Sequence, residues 1–138
     1  MTNQEIVEFL NRQWPPSVQT LKGRATGFDQ NESRLDMDFA TDSRFCHSGD
    51  IVQGGYISGM LDAVMAYAAI GMPGLCDMVA TLEIKVSFMQ TGRNGEFSAT
   101  GRIVHAGRAI AYLDGQLYQG DKLVAAATST VKLLKTQR

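Results

Sequence analysis

Apolar residues recur along the chain in two periods, and the changes of period divide it into elements. From 3 to 12 (NQEIVEFLNR), Ile6, Phe9 and Leu10 fall at helical spacing, which predicts a short amphipathic helix. Trp14-Pro15-Pro16 ends it, because proline disfavours helix at its own position and at the one before. Residues 18–28 and 32–40 read as two strands joined by the polar turn Asp29-Gln30-Asn31. In the second, Leu35, Met37 and Phe39 alternate with Asp36, Asp38 and Ala40. Residues 41–53 are polar or small and read as a loop. A long helix is predicted from Gly54 to Gly71, stopped by Gly71-Met72-Pro73-Gly74. Then Leu82, Ile84, Val86 and Phe88 alternate with Glu83, Lys85 and Ser87, the period of a half-buried strand. Turn signals at Gly92-Arg93-Asn94-Gly95, Ala106-Gly107-Arg108 and Gln119-Gly120-Asp121 delimit strands near 79–90, 95–105, 109–119 and 122–134.

The predicted order is helix, two strands, one long apolar helix, then a four-strand antiparallel meander. That is an α+β chain, without linker, repeat or low-complexity segment, and its 138 residues are the size of one domain. A helix that is apolar nearly all round has to be enclosed. A curved antiparallel sheet wrapped around it would do so.

Composition narrows the class. Hydrophobic residues make up 44% of the chain, which fits a globular protein and not a disordered one. The formal net charge is −1, so no global field draws nucleic acid or an acidic membrane surface, although local cations could still hold phosphates. Cys46 and Cys76 form no CxxC pair, and His47 and His105 are not spaced to complete a zinc site, so no metal is expected. Two reduced thiols and an N-terminus unlike a signal peptide predict a cytoplasmic protein. Between Asp50 and Asp77 the only formal charge is Asp62. The run is long enough to span a bilayer, but Gly54, Gly55, Gly59, Gly71, Pro73 and Gly74 interrupt it and no second such segment follows. A buried helix in a soluble core is the better reading.

The chemistry concentrates in that helix. Aspartate is a poor interior helix residue and is seldom buried without a partner. At roughly 100° per residue, Gly55, Ser58, Gly59, Ala66 and Ala69 share a side with Asp62, while Ile57, Met60, Leu61, Val64 and Tyr67 lie opposite. One face can fill a core, and the other is stripped of volume, so a backbone or ligand can approach Asp62 closely. Asp62 could equally cap a loop or pair with an arginine across an interface, but neither explains why its whole face is small. Gln53-Gly54-Gly55 opens the helix, where N–H groups are unpaired and glycine admits an oxygen to the backbone. This is the geometry of an oxyanion hole, though also of an ordinary tight turn. His47 and Gln53, just upstream, could each hydrogen-bond a carbonyl or a water. Lys85, Arg93 and Arg108 are candidate phosphate ligands or solvated surface charges. Ser58 and Ser87 have no base beside them in sequence, which gives a serine-hydrolase reading little support.

The run His47-Ser48-Gly49-Asp50-Ile51-Val52-Gln53-Gly54-Gly55-Tyr56-Ile57-Ser58-Gly59-Met60-Leu61-Asp62 resembles the signature of hotdog-fold acyl-CoA thioesterases. The nearest type is that of phenylacetate degradation, similar to some hydroxybenzoyl-CoA thioesterases. Leu82–Met89, Val104-His105-Ala106-Gly107-Arg108 and Lys122–Thr128 read like that family's successive strands, and the resemblance runs from about Pro15 onward. It implies hydrolysis of acyl-CoA or aroyl-CoA without a cofactor. Asp62 takes the position of the general base or nucleophile, and Gly54 that of the N–H that polarises the thioester carbonyl. His47 takes the polar position that orients carbonyl or water. Thr81 falls near a Ser or Thr that positions the water. Gly55, Ser58, Arg108, Arg93 and Lys85 are the expected substrate contacts. The resemblance further implies a dimer, or a pair of dimers, with Asp62 and Thr81 facing His47 and Gly54 of the partner. Gln53 stands where the family usually has histidine; an amide keeps a hydrogen bond but does not titrate near neutral pH. A non-catalytic acyl-CoA binding module, or an enoyl-CoA hydratase, are the alternatives on the same fold.

Overall fold

The structure, a computed structural model, describes residues 1–136. The first helix, α1, spans Asn3–Arg12. It starts on a capping box: the Thr2 hydroxyl accepts from the Glu5 N–H (3.1 Å) and the Glu5 carboxylate accepts from the Thr2 N–H (2.8 Å). It buries Ile6, Val7 and Leu10, and leaves Phe9, expected on the core face, at the rim. The strand predicted from 18 begins later, because Pro16–Thr20 form a second helix, α2. Pro16 stands at its first position, where a fixed φ favours helix and the missing N–H costs nothing. The prolines that end one helix therefore start another.

Strands β1 (Arg24–Asp29) and β2 (Arg34–Ala40) are joined at the predicted turn, where Asp29 Oδ1 accepts from the N–H groups of Asn31 and Glu32. The segment 41–53 is more ordered than a loop. It holds a 3-10 turn at Ser43–Phe45, then a small hairpin of β3 (Cys46–Ser48) and β4 (Ile51–Val52). The long helix α3 spans Gly54–Gly71, as expected. It is followed by β5 (Met78–Phe88), β6 (Glu96–Ala106), β7 (Ile110–Gln119) and β8 (Lys122–Leu134).

The main sheet has six antiparallel strands in the order β1-β2-β6-β7-β8-β5. The four C-terminal strands are therefore not one meander. Strands β6, β7 and β8 are, but β5 pairs with β8 and the chain crosses to place β6 beside β2. A period of two specifies which face of a strand is buried but not which neighbour it takes. The result is the expected hotdog arrangement, a curved antiparallel sheet around a long central helix.

Ile57, Met60, Leu61, Val64, Met65 and Ala68 of α3 are buried against Leu35, Met37, Phe97, Leu113, Leu117 and Val131 of the sheet. Gly101 and Gly115, paired across β6 and β7, form a flat spot under the helix. A Cβ on Gly101 would lie 2.6 Å from the Val64 carbonyl carbon and closer still to its oxygen, so only glycine lets the backbones meet there. The predicted two-sidedness of α3 holds, with two changes. Ala69 is buried in the core, and Tyr67 is half-buried, its ring edge-on to Trp14 at 4.9 Å. Among the described residues no helix is long and apolar enough to cross a membrane.

Candidate active site

The face of α3 away from the sheet core carries Gly55, Ser58, Gly59, Asp62 and Ala66, and in the single chain it is only partly covered. Asp62 projects toward β5. There the Thr81 hydroxyl donates to Asp62 Oδ1 at 3.1 Å. Thr81 pairs with buried Val131 of β8, so its side chain is on the helix-facing side of the sheet. A bulge follows between Thr81 and Glu83, and it turns Leu82 outward. Two of the residues expected in the site, Asp62 and Thr81, are thus brought into contact although 19 positions apart.

Gly54 and Gly55 form the first turn of α3, and Gln53 is its N-cap without a side-chain capping bond. The Gln53 N–H donates to Phe45 O and its carbonyl accepts from the Tyr56 N–H. The N–H groups of Gly54 and Gly55 have no acceptor among the described residues, so the helix end offers two free donors and its positive pole. Beside them is a cleft of about 420 Å³ between β4, α3 and the end of β5, lined by Val52, Gly54, Ile57, Phe88, Gln90 and Thr91. The Phe88 ring packs on Gly54, where a Cβ would come within 3.2 Å of it. A second cleft, of about 600 Å³, shares Gln90 and Thr91 with the first and continues to Arg93, Gln119 and Lys122. The passage runs from an apolar slot at the helix end, past side-chain amides, to two cations.

The remaining expected residues are dispersed. His47 is exposed on β3, with Nδ1 2.9 Å from the Ser48 hydroxyl. Arg93 is ion-paired with Asp50 at 2.8 Å, next to the second cleft. Arg108 is in the exposed β6–β7 turn. Arg93 adjoins Gln119 at one end of β7 and Arg108 precedes the other end. At 3.3 Å per residue the two cations are about 30 Å apart. Lys85 pairs with Thr128 on the outer surface of the sheet, opposite Asp62, and is not brought to the site. Phe88, Gln90, Thr91, Gln119 and Lys122 were missed in the sequence. Phe88 reads as a core-facing strand residue, Gln90 and Lys122 as strand ends, Gln119 as part of a turn, and Thr91 carries no signal.

Gly54 and Asp62 are eight residues apart on one helix, about 12 Å along its axis at 1.5 Å per residue. Within one chain they cannot act on the same carbonyl. The free donors and the carboxylate are therefore two separate groups on α3. Among the described residues no group of three His, Cys, Asp or Glu could hold a metal ion.

The fold is that of the hotdog thioesterase class. A sequence profile of the thioesterase superfamily matches residues 49–126, and the chain belongs to that superfamily. The matched segment contains Gly54, Asp62 and Thr81. The chain is 28% identical over 86 residues to a protein of Thermoplasma volcanium named as an esterase, a match that covers 62% of this chain and 64% of the other. It is 26% identical over 94 residues to the medium/long-chain acyl-CoA thioesterase YigI of Salmonella typhimurium, covering 58% and 61%. The chain therefore spans less than two thirds of these curated relatives. The structure of a phenylacetic acid degradation-related protein from Ralstonia eutropha, described as a thioesterase, superposes with a TM-score of 0.84 at 28% identity, over 93% of this chain and 98% of that one.

Proposed function

We propose that the protein hydrolyses acyl-CoA or aroyl-CoA thioesters to the free acid and CoA, in a site built from two copies of the chain. The observation that carries this is the Thr81–Asp62 hydrogen bond on a partly covered, small-residue face of the central helix. Membership of the thioesterase superfamily and the acyl-CoA activity named for the Salmonella relative support it.

The thioester carbonyl accepts from the Gly54 N–H of one subunit, which stabilises the charge that develops on oxygen as the carbon is attacked. Asp62 of the other subunit takes the proton of the attacking water, or attacks the carbonyl carbon itself. Thr81 holds the carboxylate in place. The tetrahedral intermediate collapses with loss of the CoA thiolate, a good leaving group that needs no metal; attack by water gives the free acid directly, whereas attack by Asp62 gives an acyl anhydride that water then hydrolyses to the acid and the free carboxylate. In this reading Gln53, the N-cap of α3, and His47, on the hairpin that leads into it, are the groups that orient the carbonyl or the water. Gly55 and Ser58 border the path that the acyl group takes past the helix.

Assembly follows from β5. It is a sheet edge of 11 residues on which Met78, Leu82, Phe88 and, just beyond, Met89 are each more than half exposed. An apolar edge of that length is stabilised by pairing. Antiparallel pairing with the same edge of a second copy brings the Phe88 end of one chain, with its Gly54, to the Met78 end of the other, with its Asp62 and Thr81. Such a dimer can pair again. CoA then leaves the site along the passage past Gln90 toward Arg93 and Lys122, and the partner's Arg108 end approaches the same site.

The test is thiol release from a panel of short, medium, long and aromatic acyl-CoA substrates. Turnover of at least one supports the proposal. Tight binding of acyl-CoA with no turnover would make the protein a binding module instead.

A further inference from the structure

We infer that Gln119 is a positioning residue for the Gly54 end of the site, acting through the chain segment that crosses from β5 to β6. This rests on the thioesterase reading above. Gln119 is the last residue of β7, and its amide treats that segment as another strand would. Its Oε1 accepts from the Arg93 N–H at 2.8 Å. Its Nε2 donates to the Arg93 carbonyl at 2.6 Å and to the Glu96 carbonyl at 3.3 Å. A side chain that takes both backbone groups of one residue fixes that residue in position and orientation.

The clamped segment in turn holds the strand that feeds α3. The Val52 N–H donates to the Gly92 carbonyl at 2.9 Å, the Asn94 N–H donates to the Asp50 carbonyl at 2.7 Å, and Arg93 pairs with the Asp50 carboxylate at 2.8 Å. Gly92 also lies directly on the first turn of α3, since a Cβ there would come within 2.7 Å of Ile57 Cδ1. Only Gln53 separates Val52 from Gly54. A displacement of Arg93 is therefore transmitted through Asp50–Val52 to the free N–H groups that open the helix. Displacing reacting groups by about 1 Å can cost as much as 10²-fold in rate. The other end of the segment is tied to Thr41, which donates from its hydroxyl to Asn94 Oδ1 at 2.8 Å and accepts from the Gly95 N–H at 3.0 Å. Loss of Gln119 thus frees the middle of the segment without detaching it.

The experiment compares Gln119→Met, which keeps length and packing but none of the three hydrogen bonds, with Gln119→Glu, which keeps the acceptor for the Arg93 N–H. For Gln119→Met the expected result is a kcat lower by about tenfold, with a smaller rise in KM for acyl-CoA because Gln119 and Arg93 also line the cleft toward which CoA runs; the larger effect falls on kcat because the affected donor acts mainly in the transition state. Gln119→Glu should fall between it and wild type. Backbone amide exchange gives a readout independent of activity: Val52 and Asn94 should exchange faster in Gln119→Met, and the amides of β7 should not. Unchanged exchange at Val52 and Asn94 overturns the inference, whatever the activity. So does an equal acceleration across β7, which would mark Gln119 as a general fold residue. A wild-type protein that hydrolyses no acyl-CoA defeats the thioesterase reading and leaves the clamp to be decided by exchange. If Gln119→Met does not fold, the same two amides in Gln119→Glu decide it.

Discussion

Gly101→Ala tests the seat of the central helix. The added methyl would lie 2.6 Å from the Val64 carbonyl carbon and 2.9 Å from the Met65 nitrogen. Comfortable separations are about 3.5 Å or more, so α3 must withdraw from β6 by roughly 1 Å. Both clashing partners are backbone, and no rotamer change relieves them. Overpacking of this kind costs about 1–3 kcal/mol, and the upper end applies here. The lower entropy of an unfolded alanine returns about 0.4–1 kcal/mol. The net is a loss of about 2 kcal/mol, which for a domain of this size lowers Tm by roughly 6–8 °C. Asp62 rides on the same helix one turn before Met65, so withdrawal also stretches its 3.1 Å bond to Thr81, and activity should fall beyond the loss of stability. The assay is thermal unfolding with thiol release at a temperature where both proteins are folded. Gly120→Ala is the control: it has open space around it and only the strain of φ +63, so it should cost about 1 kcal/mol and leave activity intact. A Gly101→Ala protein that melts within about 2 °C of wild type would refute the close packing of α3 on β6.

Thr81→Val keeps shape but removes the hydroxyl from Asp62, and should lower kcat by about tenfold, as loss of a hydrogen bond to a charged group would; Thr81→Ser should restore most of it in the same assay. Leu82→Glu alters an exposed edge residue of the protomer, so the fold should survive while sedimentation moves toward the 15.0 kDa species; an unchanged dimer would exclude the β5 edge as the interface. The Asp42 carboxyl is held down at about 2 by hydrogen bonds from the Arg44 side chain and backbone N–H. Its folded pKa is below the unfolded one, so its contribution is complete above about pH 4 and is lost as pH falls toward 2. Asp42→Asn should remove that part of the acid dependence in unfolding curves.

The period-two and helical patterns were enough to locate α1, α3 and the C-terminal strands, because each buries one face. Asp62 stood out as the lone charge in an apolar run. Thr81 was reached only through the family resemblance, since nothing local distinguishes it from other strand threonines. Residues 18–20, the end of the Pro16–Thr20 helix, read as the start of a strand because five residues are too short to display a period. The pairing of β5 with β8 was not legible, because neighbours in a sheet are chosen by crossing connections rather than by local pattern. For the same reason Arg93 and Arg108 looked equivalent, yet the length of β7 separates them. Gln119 carried no signal at all, because an amide at a hairpin end looks like any polar turn residue. The glycine pair did carry one: isolated glycines within strand patterns at 101 and 115 indicate close backbone approach.

Asp62→Asn decides whether Asp62 carries the chemistry. The amide keeps size and shape and can still hydrogen-bond Thr81, but it cannot take a proton from water. Thiol release from the best acyl-CoA substrate should fall by about 10²–10⁴-fold, with melting temperature and substrate affinity nearly unchanged. Hydrolysis by Asp62→Asn at near wild-type rate would rule out Asp62 as the base or nucleophile.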